Sequence, residues 1–219
     1  MIFYQFIIFY LYGKLLVPDN KGESRMGNII LLLIFSYLIG SIPFSLLIGK
    51  IFYKVDLREH GSGNIGTTNT FRILGKKAGI VVLILDIFKG ALPVYITILL
   101  AMDIHIFIPG LVSALGHVYP IFLKFRGGKA VATGGGAVLA YNPIVFIILV
   151  SAFLITLKLS KFVSLSSIVA AVVLIVLSLF LQDPLFMAFA IVLGFVVIIR
   201  HISNMKRIKD GTESKITFM

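Results

Sequence analysis

The chain has 219 residues, 59% of them apolar and 13% charged, with 20 Lys+Arg against 9 Asp+Glu, four histidines and no cysteine. A soluble domain runs about 45–50% apolar and about 25% charged, so this balance, with a mean hydropathy of +1.07, excludes a soluble globular domain and a disordered chain alike. The missing cysteine removes disulfides, thiolate zinc sites and a cysteine nucleophile, and a net charge of +11 on so apolar a chain points to cytoplasmic loops and anionic substrates rather than to nucleic acid.

Residues 1–25 read as an extension. Their opening, MIFYQFIIFYLYGK, lacks the basic start and small-residue cleavage site of a signal peptide. Codons for Lys21-Gly22-Glu23 can hold a ribosome-binding purine tract, so we expect translation from Met26 and one membrane domain over 26–219; the alternative is a genuine interfacial segment. Apolar runs then predict helices over 27–53, 79–102, 104–123, 130–140, 143–157, 163–181 and 184–201. The absence of regular polar/apolar alternation argues against a membrane β-barrel. Residues 54–79, 123–129, 158–161 and 200–215 are basic, whereas 102–105, 141–143 and 181–184 carry no Lys or Arg. If Asn142-Pro143 reverses the chain, as an Asn-Pro pair favours, all four basic stretches share a side. Seventeen of the 20 Lys+Arg then lie on or near one face, and the other three precede Met26. That face is cytoplasmic by the positive-inside rule. The expected fold is an all-α integral membrane protein of about seven helices, its core N-terminus outside and its C-terminus cytoplasmic. The fourth helix, 11 residues and roughly 16 Å long, is a half-helix too short to span alone.

Three polar runs interrupt this pattern. Gly61-Ser62-Gly63-Asn64-Ile65-Gly66-Thr67-Thr68-Asn69, with Arg72 beyond it, has the makings of a phosphate cradle: open backbone N–H groups, short hydroxyl and amide donors, and a guanidinium. Arg126-Gly127-Gly128-Lys129, before Thr133 and Gly134 to Gly136, sits where the short helix starts, and its N–H groups are expected to face the cytoplasm with the positive end of the helix dipole. Ser164, Ser166 and Ser167 open the sixth helix on the same face. Asp86 and Lys89, one turn apart in an apolar run, read as a structural ion pair. His60 and His105 read as solvated, His117 as orienting a loop, and His201 as ending the last helix; no set has metal-ligand spacing. Anion sites gathered on one face fit an enzyme joining a phosphorylated soluble molecule to a lipid, or a transporter of an organic phosphate. Transporters bind near the midplane between repeats, and no repeat is evident, so the enzyme is favoured.

These runs in this order resemble the acyl-phosphate:glycerol-3-phosphate acyltransferases, the PlsY family of bacterial phospholipid synthesis. The first family motif matches Gly61 to Asn69 with Arg72, the second Gly116-His117-Val118-Tyr119-Pro120 with Phe125 to Lys129, and the third His201, Asn204, Arg207, Gly211 and Glu213; GSIPF at 40–44, Asp86 to Gly90 and VSLSS at 163–167 match too. Departures are Thr67 where Ala is commoner, Ala130 for Gly, Ile202 for Arg and Met205 for Ile. The resemblance implies acyl transfer from acyl phosphate to the 1-hydroxyl of glycerol 3-phosphate, with lysophosphatidic acid and phosphate as products and no cofactor or metal. It implies catalytic roles for Ser62, His201 and Asn204. Substrate contacts would come from Gly61, Gly63, Asn64, Thr68, Asn69, Arg72, Gly127, Gly128, Lys129 and Ser167, and His117 and Glu213 would hold the structure. Implied partners are membrane lipids and the enzyme that makes acyl phosphate, at the cytoplasmic face of the bacterial inner membrane. No Ser-His-Asp arrangement is readable, so direct transfer is expected. At a helix C-terminus His201 is expected as a charged hydrogen-bond donor. Which loop holds which phosphate stays open.

Overall fold

A computed structural model describes residues 22–216, and every regular element among them is helical. In chain order these are α1 (Gly22–Ser41), α2 (Phe44–Ile48) continued by a π-helical turn (Gly49–Tyr53), α3 (Thr67–Leu99), α4 (Phe107–Val118), α5 (Val131–Tyr141), α6 (Pro143–Ser160), α7 (Val163–Ser178) and α8 (Pro184–Lys209), with short 3-10 turns at Leu57–Glu59 and Ile121–Leu123. By length and composition α3, α6 and α8 can each cross a membrane, and the α1–α2 pair makes a fourth span if counted as one; α4, α5 and α7 are shorter apolar helices. The expected single short helix is therefore one of three among the described residues. The boundary expected at Met26 falls inside an unbroken α1, and residues 1–21 of the extension lie outside the described residues.

Two expected continuous elements are broken, each for a local reason. The helix expected over 27–53 bends by 45° between α1 and α2. Pro43 has no N–H to give and disfavours the helical region for Ile42. The Ile42 carbonyl instead accepts the Lys89 ammonium at 3.0 Å. The stretch expected to be loop up to residue 79 is helical from Thr67, and α3 breaks at Gly75, whose φ of +84° and ψ of −178° leave the helix. Pro93, inside α3, cannot bond the Lys89 carbonyl one turn back; Ser113 Oγ of α4 donates to it at 2.8 Å instead.

The chain shuttles between two ends of the bundle. At one end Arg25 pairs with Asp103 at 3.9 Å and Tyr141 donates to Asp183 at 3.0 Å, while Phe107 stacks on Phe189, Tyr141 stacks on Phe186, and Phe107 meets Tyr141 edge to face. At the other end Lys129, Ser164, Asn204 and Glu213 bond one another. The reversal lies at Asn142, whose side chain caps α6 through the Ile144 and Val145 amides at 3.0 and 3.2 Å. Between the ends α3 and α5 pack backbone to backbone: a Cβ on Gly90 would lie 1.9 Å from the Thr133 carbonyl, and one on Gly136 2.0 Å from the Ile87 carbonyl. In lipid, where apolar burial gives little preference for one helix over another, such close approach supplies the association. Outward-facing side chains such as Phe52, Leu159 and Phe180 are apolar and exposed.

Ala130, just before α5, is held left-handed at φ +57° and ψ +12°. That conformation costs an L-residue about 1–2 kcal/mol, less the roughly 0.5–1 kcal/mol by which glycine's extra freedom disfavours folding. Ala130→Gly is therefore expected to raise the thermal midpoint by about 2–4 °C per kcal/mol relieved. An unchanged or lower midpoint in a detergent thermal melt would show that the site is unstrained.

Candidate active site

The second polar run is tied down from both sides. Gly127 N donates to the Val118 carbonyl and Gly128 N to the His117 carbonyl, each at 3.0 Å. Their own carbonyls accept from Arg200, Gly127 O from Nη2 at 2.9 Å and Gly128 O from Nε at 3.2 Å. These amides were expected to cradle phosphate, and the structure gives them other partners. The glycines are needed for contact: a Cβ at 127 would sit 2.1 Å from the His117 carbonyl, and one at 128 2.1 Å from His117 Nε2. His117 is buried, with Nδ1 3.7 Å from Asp86 Oδ1.

Lys129 follows, half-buried, and meets the third run. Its Nζ donates to Asn204 Oδ1, and Asn204 Nδ2 donates to Glu213 Oε1 at 2.7 Å. The same carboxylate accepts from Ser164 Oγ at 2.9 Å and Arg207 Nε at 2.8 Å. Burial pushes the Glu213 carboxyl up, but the hydrogen bonds from Asn204, Arg207 and Ser164 outweigh it and hold it below its ordinary value. Burial, then the positive charges of Arg207, Arg200 and Arg72, push the Lys129 ammonium down to about 8 against the opposing pull of Glu213. Arg72 of the first run thus joins the same field. Lys129 thus stands in the positive field of Arg72, Arg200 and Arg207, and Glu213 pairs with Arg207, an excess of positive charge that suits anions.

The first run is a loop built on its own backbone. Gly61 and Gly63 take φ of +62° and +68°, which an L-residue adopts at a cost. Asn69, expected to contact substrate, is fully occupied: Oδ1 accepts from Ser62 N at 3.0 Å, and Nδ2 donates to the Leu57 and His60 carbonyls at 3.1 and 3.0 Å. It braces the loop. A Cβ at Gly61 would lie 2.4 Å from Asn69 Oδ1, so the glycine makes room for the brace. Ser62 is exposed, and Asn64 N approaches its hydroxyl at 3.5 Å. No histidine or carboxylate hydrogen-bonds Ser62 Oγ among the described residues. Thr68 is half-buried in the first turn of α3, and its neighbour Thr67 reaches Asp86 Oδ2 at 3.3 Å.

Two more expectations change. Ser167 is buried and donates to Val163 O of its own helix at 2.9 Å, so Ser164 is the serine that reaches the cluster. His201 does not end its helix, since α8 runs on to Lys209, and the helix-end reason for a charged ring is gone. Its Nδ1 lies 2.8 Å from the Val197 carbonyl. A carbonyl only accepts, so Nδ1 carries the proton and a neutral ring keeps Nε2 as an acceptor. Arg200 was missed because it reads as one more basic residue at a helix end, although its place beside His201 was a signal. Among the described residues no three His, Cys, Asp or Glu side chains gather to hold a metal.

The sequence pattern of the family described as glycerol-3-phosphate acyltransferase matches residues 30–211. Similar proteins include glycerol-3-phosphate acyltransferase 2 of Bacillus cereus, 53% identical over 86% of this chain and 95% of that one. The glycerol-3-phosphate acyltransferase of Macrococcus caseolyticus is 48% identical over 87% of this chain and 98% of that one. Among solved structures, PlsY (YgiH), an integral membrane glycerol 3-phosphate acyltransferase, superposes in its glycerol 3-phosphate form with a TM-score of 0.81 at 40% identity, covering 86% of this chain and 95% of that one. Its lysophosphatidic acid form gives 0.78 at 39%, with the same coverage.

The Lys129 environment is measurable without substrate. An ordinary lysine titrates near 10.4, whereas the Lys129 amine should become reactive toward acylating reagents with a midpoint of about 8. Glu213→Gln removes a charge that favours the ammonium, so the midpoint should fall further. Modification of Lys129 that tracks the exposed lysines across alkaline pH, read by peptide mass spectrometry, would contradict this.

Proposed function

The chain belongs to the glycerol-3-phosphate acyltransferase family, and from that premise we propose that it transfers a fatty acyl group from acyl phosphate to the 1-hydroxyl of glycerol 3-phosphate, releasing lysophosphatidic acid and inorganic phosphate. The observation that carries the reading is the bonded cluster of Lys129, Asn204, Glu213, Ser164 and Arg207 at one end of a multi-pass helical membrane protein, with the charge of Arg72 from the first run beside it. Both substrates bear phosphate, and the acyl tail needs adjoining lipid. That end is the cytoplasmic face of the bacterial inner membrane, with the C-terminus inside and the start of the 26–219 domain outside. Seventeen of the 20 basic residues support this orientation.

The 1-hydroxyl oxygen attacks the acyl carbonyl carbon. The bond from that carbon to the bridging oxygen breaks, and the electron pair leaves with phosphate. Phosphate departs readily, so positioning and charge stabilisation carry the rate. Ser62 and Lys129 engage phosphate groups with Arg72, while Gly61, Gly63, Asn64 and Thr68 shape the first loop around them. Asn204 orients Lys129 and is itself set by Glu213. His201 Nε2 accepts the hydrogen bond of the hydroxyl as it binds and aims its lone pair; as the new C–O bond forms, the O–H turns to a non-bridging phosphate oxygen of the substrates, which takes the proton. The Nδ1 contact with Val197 supports taking Nε2 of a neutral ring as an acceptor, in place of the charged donor expected from the sequence.

Purified protein should make lysophosphatidic acid from acyl phosphate and not from acyl-CoA or acyl-carrier protein. In sealed vesicles, impermeant glycerol 3-phosphate should be acylated only from the cytoplasmic face. Comparable product from acyl-CoA would refute the donor, and uptake of glycerol 3-phosphate without a donor would favour a transporter.

His201→Ala should lose roughly 10²-fold or more in kcat, while His201→Gln, which keeps an acceptor near the position of Nε2, should retain measurable turnover. A Gln variant as inactive as Ala, together with a wild-type rate that titrates with the histidine, would make His201 the base instead.

A further inference from the structure

We propose that Arg200 is a positioning residue, acting on the reaction through the backbone of the Gly127–Gly128 loop rather than by touching substrate; this rests on the acyl-transfer reading above. The guanidinium presents a planar fork, and here the fork spans two successive carbonyls, Gly127 O at 2.9 Å and Gly128 O at 3.2 Å. The two amides of the same dipeptide are bound to Val118 O and His117 O. With all four backbone polar groups engaged, the loop has one position. Lys129 is the next residue along the chain, and Ala130, left-handed at φ +57°, precedes α5 directly behind it.

Arg200 also precedes His201 and lies one turn before Asn204 on α8. The clamp is therefore the link between the loop that carries Lys129 and the helix that carries the proposed acceptor of the hydroxyl and the partner of Lys129. It has a second chemical effect. Carbonyl oxygens carry partial negative charge, and a loop that turned them toward a phosphate would repel it. Arg200 holds both of them. Lysine in its place would keep the charge, but as a point donor it cannot reproduce the planar two-carbonyl fork.

That difference separates positioning from simple charge. Arg200→Lys, Arg200→Gln and Arg200→Met are compared with wild type for folded yield and thermal midpoint, for kcat/KM, and for hydrogen exchange of the amides in residues 126–130. Displacements near 1 Å cost on the order of 10²-fold in rate, so all three variants, Lys included, should lose at least about tenfold in kcat/KM per folded molecule. Exchange should rise at 126–130 in each. A Lys variant within about threefold of wild type beside inactive Gln and Met would assign Arg200 to charge on the substrate and overturn the clamp. Unchanged exchange at 126–130, or faster exchange with undiminished kcat/KM, would overturn it as well. If none of the three folds, Arg200 is a stability residue and the proposal falls. A wild-type chain that does not turn over acyl phosphate sinks the acyl-transfer reading instead, and the exchange data still decide whether Arg200 holds the loop.

Discussion

A lysine and an aspartate one turn apart, with 1% and 3% of their side chains exposed, set the arrangement on which the rest depends. Lys89 Nζ meets Asp86 Oδ1 at 2.8 Å and the Ile42 carbonyl at 3.0 Å, and lies 5.5 Å from the centroid of the Phe44 ring. The second Asp86 oxygen accepts from Thr67, where the first polar run enters α3, and His117 faces the first oxygen. Ser113 of α4 completes the bond to the Lys89 carbonyl that Pro93 forgoes. One pair thus joins the α1–α2 break, α3, α4 and the first loop. Removing one partner of such a buried pair costs about 3–5 kcal/mol, because the other charge is left uncompensated.

From that pair the order passes outward by contact. His117 rests against Gly128, Gly128 against Arg200, and the same loop delivers Lys129 to Asn204 and Glu213. Small residues do similar work between the helices, where Gly90 and Gly136 let α3 and α5 touch through their backbones. The broken and short helices are tolerable because their loose carbonyls and amides find partners inside the protein, as lipid would supply none.

Much of the fold was legible in the sequence, and the failures have physical causes. Apolar runs marked the hydrophobic stretch of each long helix, though not the polar start of α3, and Asn142-Pro143 marked the break between α5 and α6, because both signals are local. The break at Pro43 was missed because the apolar run continues through it and only the partner, Lys89, makes the bend worthwhile. The polar runs marked the site region, but not the role of each atom. Gly127 and Gly128 read as amide donors because a sequence shows that glycine is present and not what presses against it. Asn69 and Ser167 read as free donors because their partners are backbone carbonyls, which carry no sequence signature. His201 was placed at a helix end because the charged residues after it hide the helical turns that reach Lys209.

The chemistry assigned to the site asks little of any single side chain. Among the described residues no histidine or carboxylate hydrogen-bonds Ser62 Oγ, and Arg207 is committed to the Glu213 carboxylate. Transfer in one step, with charge and placement supplying the rate, is therefore the central chemical claim. Intact-mass spectrometry of the protein incubated with acyl phosphate alone tests this most directly. One-step transfer predicts an unmodified mass and no phosphate release until glycerol 3-phosphate is added. An acyl adduct on Ser62, formed with release of phosphate before the acceptor is present, would contradict it.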